Sequence, residues 1–220
     1  EIIHPGGEIP ASFPGIVLMD DGLFFPDHLP LATVDASCGS AAFTWLTRAI
    51  DLALEKKVAA VVTAPLHKEA LNKAGHHYAG HTEILADKTG TREFSLMLIA
   101  GRFRVVHVTC HVALSQVAPL LTQERIISTI NLFDRALSKL DEERPRIAVC
   151  AFNPHSGEGG LFGKEELTAI QPAIESCASE GVEVEGPFPS DSIYPQLIGG
   201  RYDGVVAMYH DQEHIAFKLI

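Results

Sequence analysis

The sequence has no C-x-x-C pair. Its four cysteines, Cys38, Cys110, Cys150 and Cys177, are far apart and mostly in apolar stretches. That scatter argues against a disulfide scaffold and fits the reduced thiols of a cytoplasmic protein. Positive charge is scarce: 17 lysines and arginines face 28 acidic residues, a formal net charge of −11. No broad basic face is therefore expected for nucleic acid or an anionic membrane. Long hydrophobic runs are missing too. The longest, residues 58–66, is interrupted by Thr63 and Pro65 and falls far short of the roughly 20 residues that cross a bilayer. No basic segment followed by an apolar one opens the chain, so no secretory signal is expected. Charged residues make up only 20% and hydrophobic residues 46% of the 220, which excludes intrinsic disorder and supplies a core. The length predicts a single α/β unit over 1–220, as one domain or two intimate lobes about one sheet. The chain begins at Glu1 rather than Met and stops at Ile220 within the run HIAFKLI. A fragment of a longer protein, truncated at both ends, is the expectation.

The first thirty residues are thick with proline and glycine and read as irregular chain with one short strand. From Ser37, the residues Ala41, Trp45, Ala49, Leu52 and Ala53 recur at helical spacing, with Lys56 and Lys57 at the dipole's negative end. The β-branched run VAAVVTAP (58–65) predicts a strand covered on both faces, followed by a helix through LHKEALNKAG that closes at Gly75. FSLMLIA (94–100) and FRVVHVTC (103–110) predict two strands joined by a tight Gly101-Arg102 turn, with helix across 113–140. RIAVCAF (146–152) predicts a strand, the loop NPHSGEGG follows, and a helix over 164–179 stops at Gly181. A short strand VEVEG, a helix near 191–198 and the strand DGVVAMY (203–209) complete a mainly parallel, doubly wound sheet.

Of eleven histidines, three stand just past predicted strands: His111, His155 and His210. That edge of an open α/β sheet binds ligands. Imidazoles converging there beside a carboxylate such as Asp211 suit a Zn²⁺-like divalent ion with positions left open for substrate. A strand-end histidine is also commonly a loop residue bonded to backbone, and no H-x₃-H or H-E-x-x-H spacing links the three. His107, inside a strand run, reads as core or edge, and His214 as facing the same site as His210. The SGEGG loop offers backbone N–H groups to an anion at a helix N-terminus. Near Gly80, the residues His81 and Thr82, with Lys68, suit either a phosphate or carboxylate or a plain helix cap. Lys218 reads as an anion ligand or a solvated lysine. Cys110, between Thr109 and His111, invites a nucleophile reading against the commoner buried structural thiol.

In order, the segments TAPLHKEALNKAG, GHTE, VTCHVALSQV, NPHSGEGGLFGKEE, PSDSIYPQ and MYHDQ followed by a lysine closely resemble the 4-hydroxythreonine-4-phosphate dehydrogenase family, from about Thr33 to the last residue. The resemblance implies an isopropylmalate-dehydrogenase-like fold and a homodimer with the active site at the subunit interface. It implies a divalent metal, zinc, magnesium or cobalt, held by His111, His155 and His210, with NAD or NADP as hydride acceptor. His81, Thr82 and Lys218 match substrate-binding positions, and Asp191 and Asp211 match active-site acids. The family's glycine-rich opening and its C-terminal nucleotide-binding segment have no counterpart here. Glu213 and His214 replace a glycine and a non-histidine of biosynthetic members. His214 and AGHHYAGHTE look more like relatives acting on four-carbon acid phosphates such as threonate or erythronate 4-phosphate.

The implied reaction is oxidation of a secondary alcohol followed by loss of CO₂ from a 4-phosphorylated hydroxy acid. The product leads toward pyridoxal phosphate in one case and is dihydroxyacetone phosphate in the other. Two other classes compete: a metal-dependent lyase or aldolase using three histidines without a nucleotide, and a noncatalytic ligand-binding fragment.

Overall fold

In a computed structural model, residues 2–4, 7–10, 14–22, 32–140 and 144–220 are described. The chain divides into two compact units, Glu1–Arg92 and Glu93–Ile220.

In the first unit, two-residue strands β1 (Ile2–Ile3) and β2 (Leu18–Met19) pair in parallel. Much of the Pro/Gly-rich stretch read as irregular, residues 23–31 included, lies outside the described residues. Helix α1 (Ala36–Leu54) starts where Asp35 accepts a hydrogen bond from Ser37 N at 2.7 Å, an N-cap that satisfies a free donor of the first turn. The hydroxyl and N–H of Ser37 together hold the Asp35 carboxyl below its ordinary range. Helices α2 (Lys68–Lys73) and α3 (His81–Thr89) follow. Leu46 and Ile50 of α1 meet Leu71 and Ile84 in the core of this unit. The approach is closest at Gly39, where an added Cβ would stand 2.1 Å from Ala70 O.

The helix expected from Ser37 is found, and the strand expected at 58–65 is not. Trp45 is 50% exposed: the buried stripe runs through Gly39, Leu46 and Ile50, and one residue along a helix turns a side chain by about 100°. Residues 58–65 form no strand, and Val62 is 95% exposed. β-Branched residues favour a pleated, half-buried surface rather than an extended backbone as such, and among the described residues no strand pairs with this run.

The second unit contains β3 (Met97–Ala100), β4 (Phe103–Thr109), α4 (Val117–Leu120), α5 (Gln123–Leu140), β5 (Ile147–Cys150), α6 (Gln171–Ser179), β6 (Val184–Phe188), α7 (Ser190–Ile198), β7 (Gly204–Tyr209) and α8 (His210–Lys218). Its sheet has the order β3-β4-β7-β5-β6, with β3 antiparallel to β4 and the other pairs parallel. The mainly parallel sheet is as the strand and helix alternation predicts. Side chains alternate cleanly between two cores. Val106, Val108, Ile147, Val149, Val206 and Met208 pack with α5 and α6. Phe103, Val105, Ala148, Cys150, Val205 and Ala207 pack with α7 and α8 on the opposite face. A sheet covered on both sides explains why its strands read as near-continuous apolar runs.

Candidate metal-binding site

Strands β4, β7 and β5 are neighbours and parallel, so their C-terminal ends open on one edge at successive spacings of about 4.8 Å. His111 lies two residues past β4, His210 directly after β7, and His155 on the loop after β5. The topology thus brings all three strand-end histidines to the edge where open α/β sheets bind ligands. The rings of His111 and His210 lie 5.6 Å apart. His210 Nδ1 bonds Asp211 Oδ1 at 2.8 Å, an orienting contact of the kind that leaves the other ring nitrogen for a metal. His155 is exposed and lies near Phe162, with ring centroids 6.4 Å apart.

Among the described residues, the only three-member group with metal-ligand atoms within 4.8 Å of one another is His107, Glu213 and His214. His107 projects from β4 toward α8 and is 2% exposed, and Glu213 is fully buried. Glu213 Oε1 bonds His107 Nδ1 at 2.7 Å and lies 2.6 Å from His214 Nδ1. Ligand atoms around a shared zinc, each about 2.0–2.2 Å from it, stand roughly 3.3 Å apart. Both separations are shorter than that. The His107–Glu213 contact is a hydrogen bond, and the hydrogen bond of His214 Nδ1 goes to His210 O at 3.2 Å. Its outer member His214 stacks on His210 at 3.6 Å and 12°, so the triad lies directly behind one of the strand-end histidines. His107, which the sequence reads as core or edge, is buried, and His214, read as facing the same site as His210, stacks on that ring. His107 Nε2 and Glu213 Oε2 are buried with no hydrogen-bond partner.

The loop carrying His155 is unusual. His155, Ser156, Gly157, Glu158 and Gly159 have φ of 51°, 54°, 72°, 43° and 67°, five consecutive left-handed residues. Each non-glycine there costs about 1–2 kcal/mol relative to the right-handed region, and such strain persists only where surrounding structure enforces it. The enforcing groups are carboxylates. Glu166 Oε1 accepts from Phe152 N at 2.9 Å and Asn153 N at 2.6 Å, and its Oε2 accepts from Asn153 Nδ2 at 2.9 Å. Glu165 Oε2 accepts from Asn153 Nδ2 and Lys164 N. Donors flanking the glycine loop are therefore taken by the protein's own acids, where the sequence suggests an external anion.

Gln212, which no sequence signal beyond the MYHDQ run marks out, braces this edge. Its Nε2 donates to Ala151 O at 2.6 Å and Ser190 Oγ at 2.7 Å, and its Oε1 accepts from Met208 N at 2.6 Å. The ends of β5 and β7 and the start of α7 are tied by one side chain. Asp191 is exposed in the first turn of α7, and Lys218 is the exposed last residue of α8. In the first unit, His81 and Thr82 open α3 and are half-buried. Neither serves as the cap: Gly80 occupies that place without a side-chain bond. Cys110 is half-buried, and none of the four cysteines is in a disulfide.

Residues 16–220 match the family described as pyridoxal phosphate biosynthetic protein PdxA. The chain belongs to the PdxA family. The D-threonate 4-phosphate dehydrogenase of Salmonella typhimurium is 44% identical over 208 residues, 94% of this chain and 64% of that protein. Its counterpart from Pectobacterium atrosepticum is 42% identical over the same shares of each chain. Among solved structures, a 4-hydroxythreonine-4-phosphate dehydrogenase from Klebsiella pneumoniae superposes with a TM-score of 0.91 at 46% identity, covering 100% of this chain and 66% of that one. The chain thus spans under two thirds of the length of these curated PdxA relatives. No helix among the described residues is long and apolar enough to cross a membrane.

Proposed function

We propose that this chain holds the metal and substrate groups of a decarboxylating dehydrogenase that oxidises a 4-phosphorylated hydroxy acid with NAD or NADP. D-Threonate or D-erythronate 4-phosphate is the favoured substrate, ahead of 4-hydroxythreonine 4-phosphate. The observation that carries the reading is the convergence of His111, His155 and His210 at the ends of three adjacent parallel strands, in a chain whose similar relatives bear dehydrogenase names. The donor set fits a divalent ion: three imidazoles at one edge, with Asp211 on the far nitrogen of His210.

When bound, the metal supplies charge stabilisation at the substrate's oxygens and the nucleotide accepts hydride. The chain's own residues do the rest. His111, His155 and His210 hold the ion. Asp211 fixes the orientation of the His210 ring. His81, Thr82 and Lys218 are assigned to the substrate's anionic groups, where binding remote from the reacting carbon orients it. Asp191 and Asp211 are assigned to proton transfer. Oxidation of the alcohol β to the carboxylate of D-threonate 4-phosphate, with hydride passing to the nucleotide, gives a 3-oxo acid, and loss of CO₂ from that acid yields dihydroxyacetone phosphate. A homodimer with the site at its interface belongs to the same reading. The test is reduction of NAD⁺ or NADP⁺, followed by nicotinamide absorbance, with each phosphorylated acid and added Zn²⁺, Mg²⁺ or Co²⁺ in the protein carrying this chain. Metal-dependent reduction with release of CO₂ is expected. Substrate cleavage with no nucleotide reduction would mark a lyase and overturn the proposal.

A further inference from the structure

We propose that Glu166 is a positioning residue that clamps the left-handed loop and so sets where His155 is presented. The metal part of this inference rests on the reading above; the loop part does not. Glu166 is a charged side chain only 3% exposed, and a carboxylate buried to that degree needs donors. It takes all three from the loop's entry: Phe152 N, Asn153 N and Asn153 Nδ2. It also forms the floor beneath the loop, because a Cβ on Gly157 would stand 2.7 Å from Glu166 Oε2. Gly157 at φ 72° is the one buried residue of the left-handed turn, so entry and underside of the turn both rest on the same carboxylate. Residues Pro154–Gly160 form a 3-10 segment with backbone bonds of its own; beyond these, Ser156 Oγ donates to Pro187 O at 3.3 Å, Phe162 N to Gly157 O at 3.1 Å and Leu161 N to Glu158 O at 3.4 Å. Those bonds shape the turn, and the Glu166 carboxylate at its entry and underside fixes where the strained turn sits. Glu166 also begins a π-helical turn, Glu166–Ile170, ahead of α6. Such turns insert a residue that re-aims side chains and recur at functional sites.

Glu166→Gln tests this at constant volume, because it turns one of two acceptor oxygens into a donor facing N–H groups. Three readouts are compared in the full chain: thermolysin cleavage beside the exposed Leu161 and Phe162, Zn²⁺ affinity by calorimetric titration, and the urea midpoint. Ile174→Val, in the same helical stretch but in the core, serves as a control destabilised away from the loop. Glu166→Gln is expected to raise loop cleavage about tenfold and weaken Zn²⁺ binding by about 10- to 100-fold, the range for loss of an outer-shell partner. Ile174→Val is expected to lower the urea midpoint while leaving both loop cleavage and Zn²⁺ affinity at wild-type values. Gly157→Ala, which pushes the loop off the same carboxylate, reproduces the Glu166→Gln pattern and keeps the test open if that variant fails to fold. Loop cleavage in Glu166→Gln no higher than in Ile174→Val would overturn the clamp. If His155→Ala leaves Zn²⁺ affinity unchanged, the three-histidine reading fails, and the cleavage comparison still decides the role of Glu166.

Discussion

Replacing Glu213 probes the buried triad behind the proposed site, and the size of the effect follows from its geometry. The carboxylate is hydrogen-bonded to His107 Nδ1 at 2.7 Å and lies 2.6 Å from His214 Nδ1, whose own hydrogen bond is to His210 O at 3.2 Å, with side-chain exposures of 0% for Glu213, 1% for His107 and 15% for His214. Hydrogen bonds to a charged group contribute about 1.5–3 kcal/mol against about 0.5–1.5 kcal/mol for neutral pairs. Glu213→Gln keeps an acceptor of the same size and loses the charge, so the bond to His107 weakens and stability falls by about 1 kcal/mol. Glu213→Leu strands His107, and breaking a buried pair by removing one partner costs about 3–5 kcal/mol. His107→Phe/Glu213→Leu removes both members of the deeper bond and leaves only His214, which reaches solvent. The double variant should therefore be less destabilised than the sum of the singles, by about 1–3 kcal/mol. Urea unfolding is followed by far-UV circular dichroism, because Trp45 lies in the other unit. Additive single and double costs, or a Glu213→Leu milder than Glu213→Gln, would refute the buried His107–Glu213 hydrogen bond.

Three further outcomes are expected. Gly39→Ala places a Cβ 2.1 Å from Ala70 O and 2.3 Å from its carbon; overpacking of this kind costs about 1–3 kcal/mol. Thermal unfolding read by Trp45 fluorescence should shift down, and an unchanged midpoint would contradict the close packing of α1 on α2. Burial pushes the Cys150 thiol up to about 12 and the Cys177 thiol up to about 11. Iodoacetamide at mildly alkaline pH should label exposed Cys38 first and spare those two, so labelling of Cys150 as fast as Cys38 would count against a buried β5. Burial alone would raise the Asp203 carboxyl, yet its hydrogen bonds and ion pair with Arg146 more than reverse this and hold it below 3.8. A carboxyl depressed in the folded state stabilises above its unfolded value, and that stability is lost as pH falls through the lower folded value. Both side chains are partly exposed, so Asp203→Asn should remove less than about 1 kcal/mol of stability near neutral pH and none at low pH, flattening the loss on acidification. An acid-unfolding profile identical to wild type would show the pair contributes nothing.

Much of the second unit was legible in the sequence because its strands are buried on both faces and its helices begin and end at recognisable turns. The positions of His111, His155 and His210 followed from those strand ends alone. The run at 58–65 misled because its composition describes a covered strand, whereas pairing depends on a neighbour that composition does not supply. Glu166 and Gln212 were illegible for another reason. Their roles are hydrogen bonds to backbone groups 13 and 61 residues away, and a spacing rule carries no information about such partners. The Glu213–His107 bond spans 106 residues and is visible only once β4 and α8 are packed together.

The central claim is that a metal is held by the strand-end histidines, while His107 and Glu213 are held by a hydrogen bond. Zn²⁺ titration of the wild type, His155→Ala and His107→Phe at one pH tests it most directly. The account predicts a stoichiometric site that is lost in His155→Ala and retained in His107→Phe. Loss in His107→Phe with retention in His155→Ala would contradict it, moving the metal into the buried cluster.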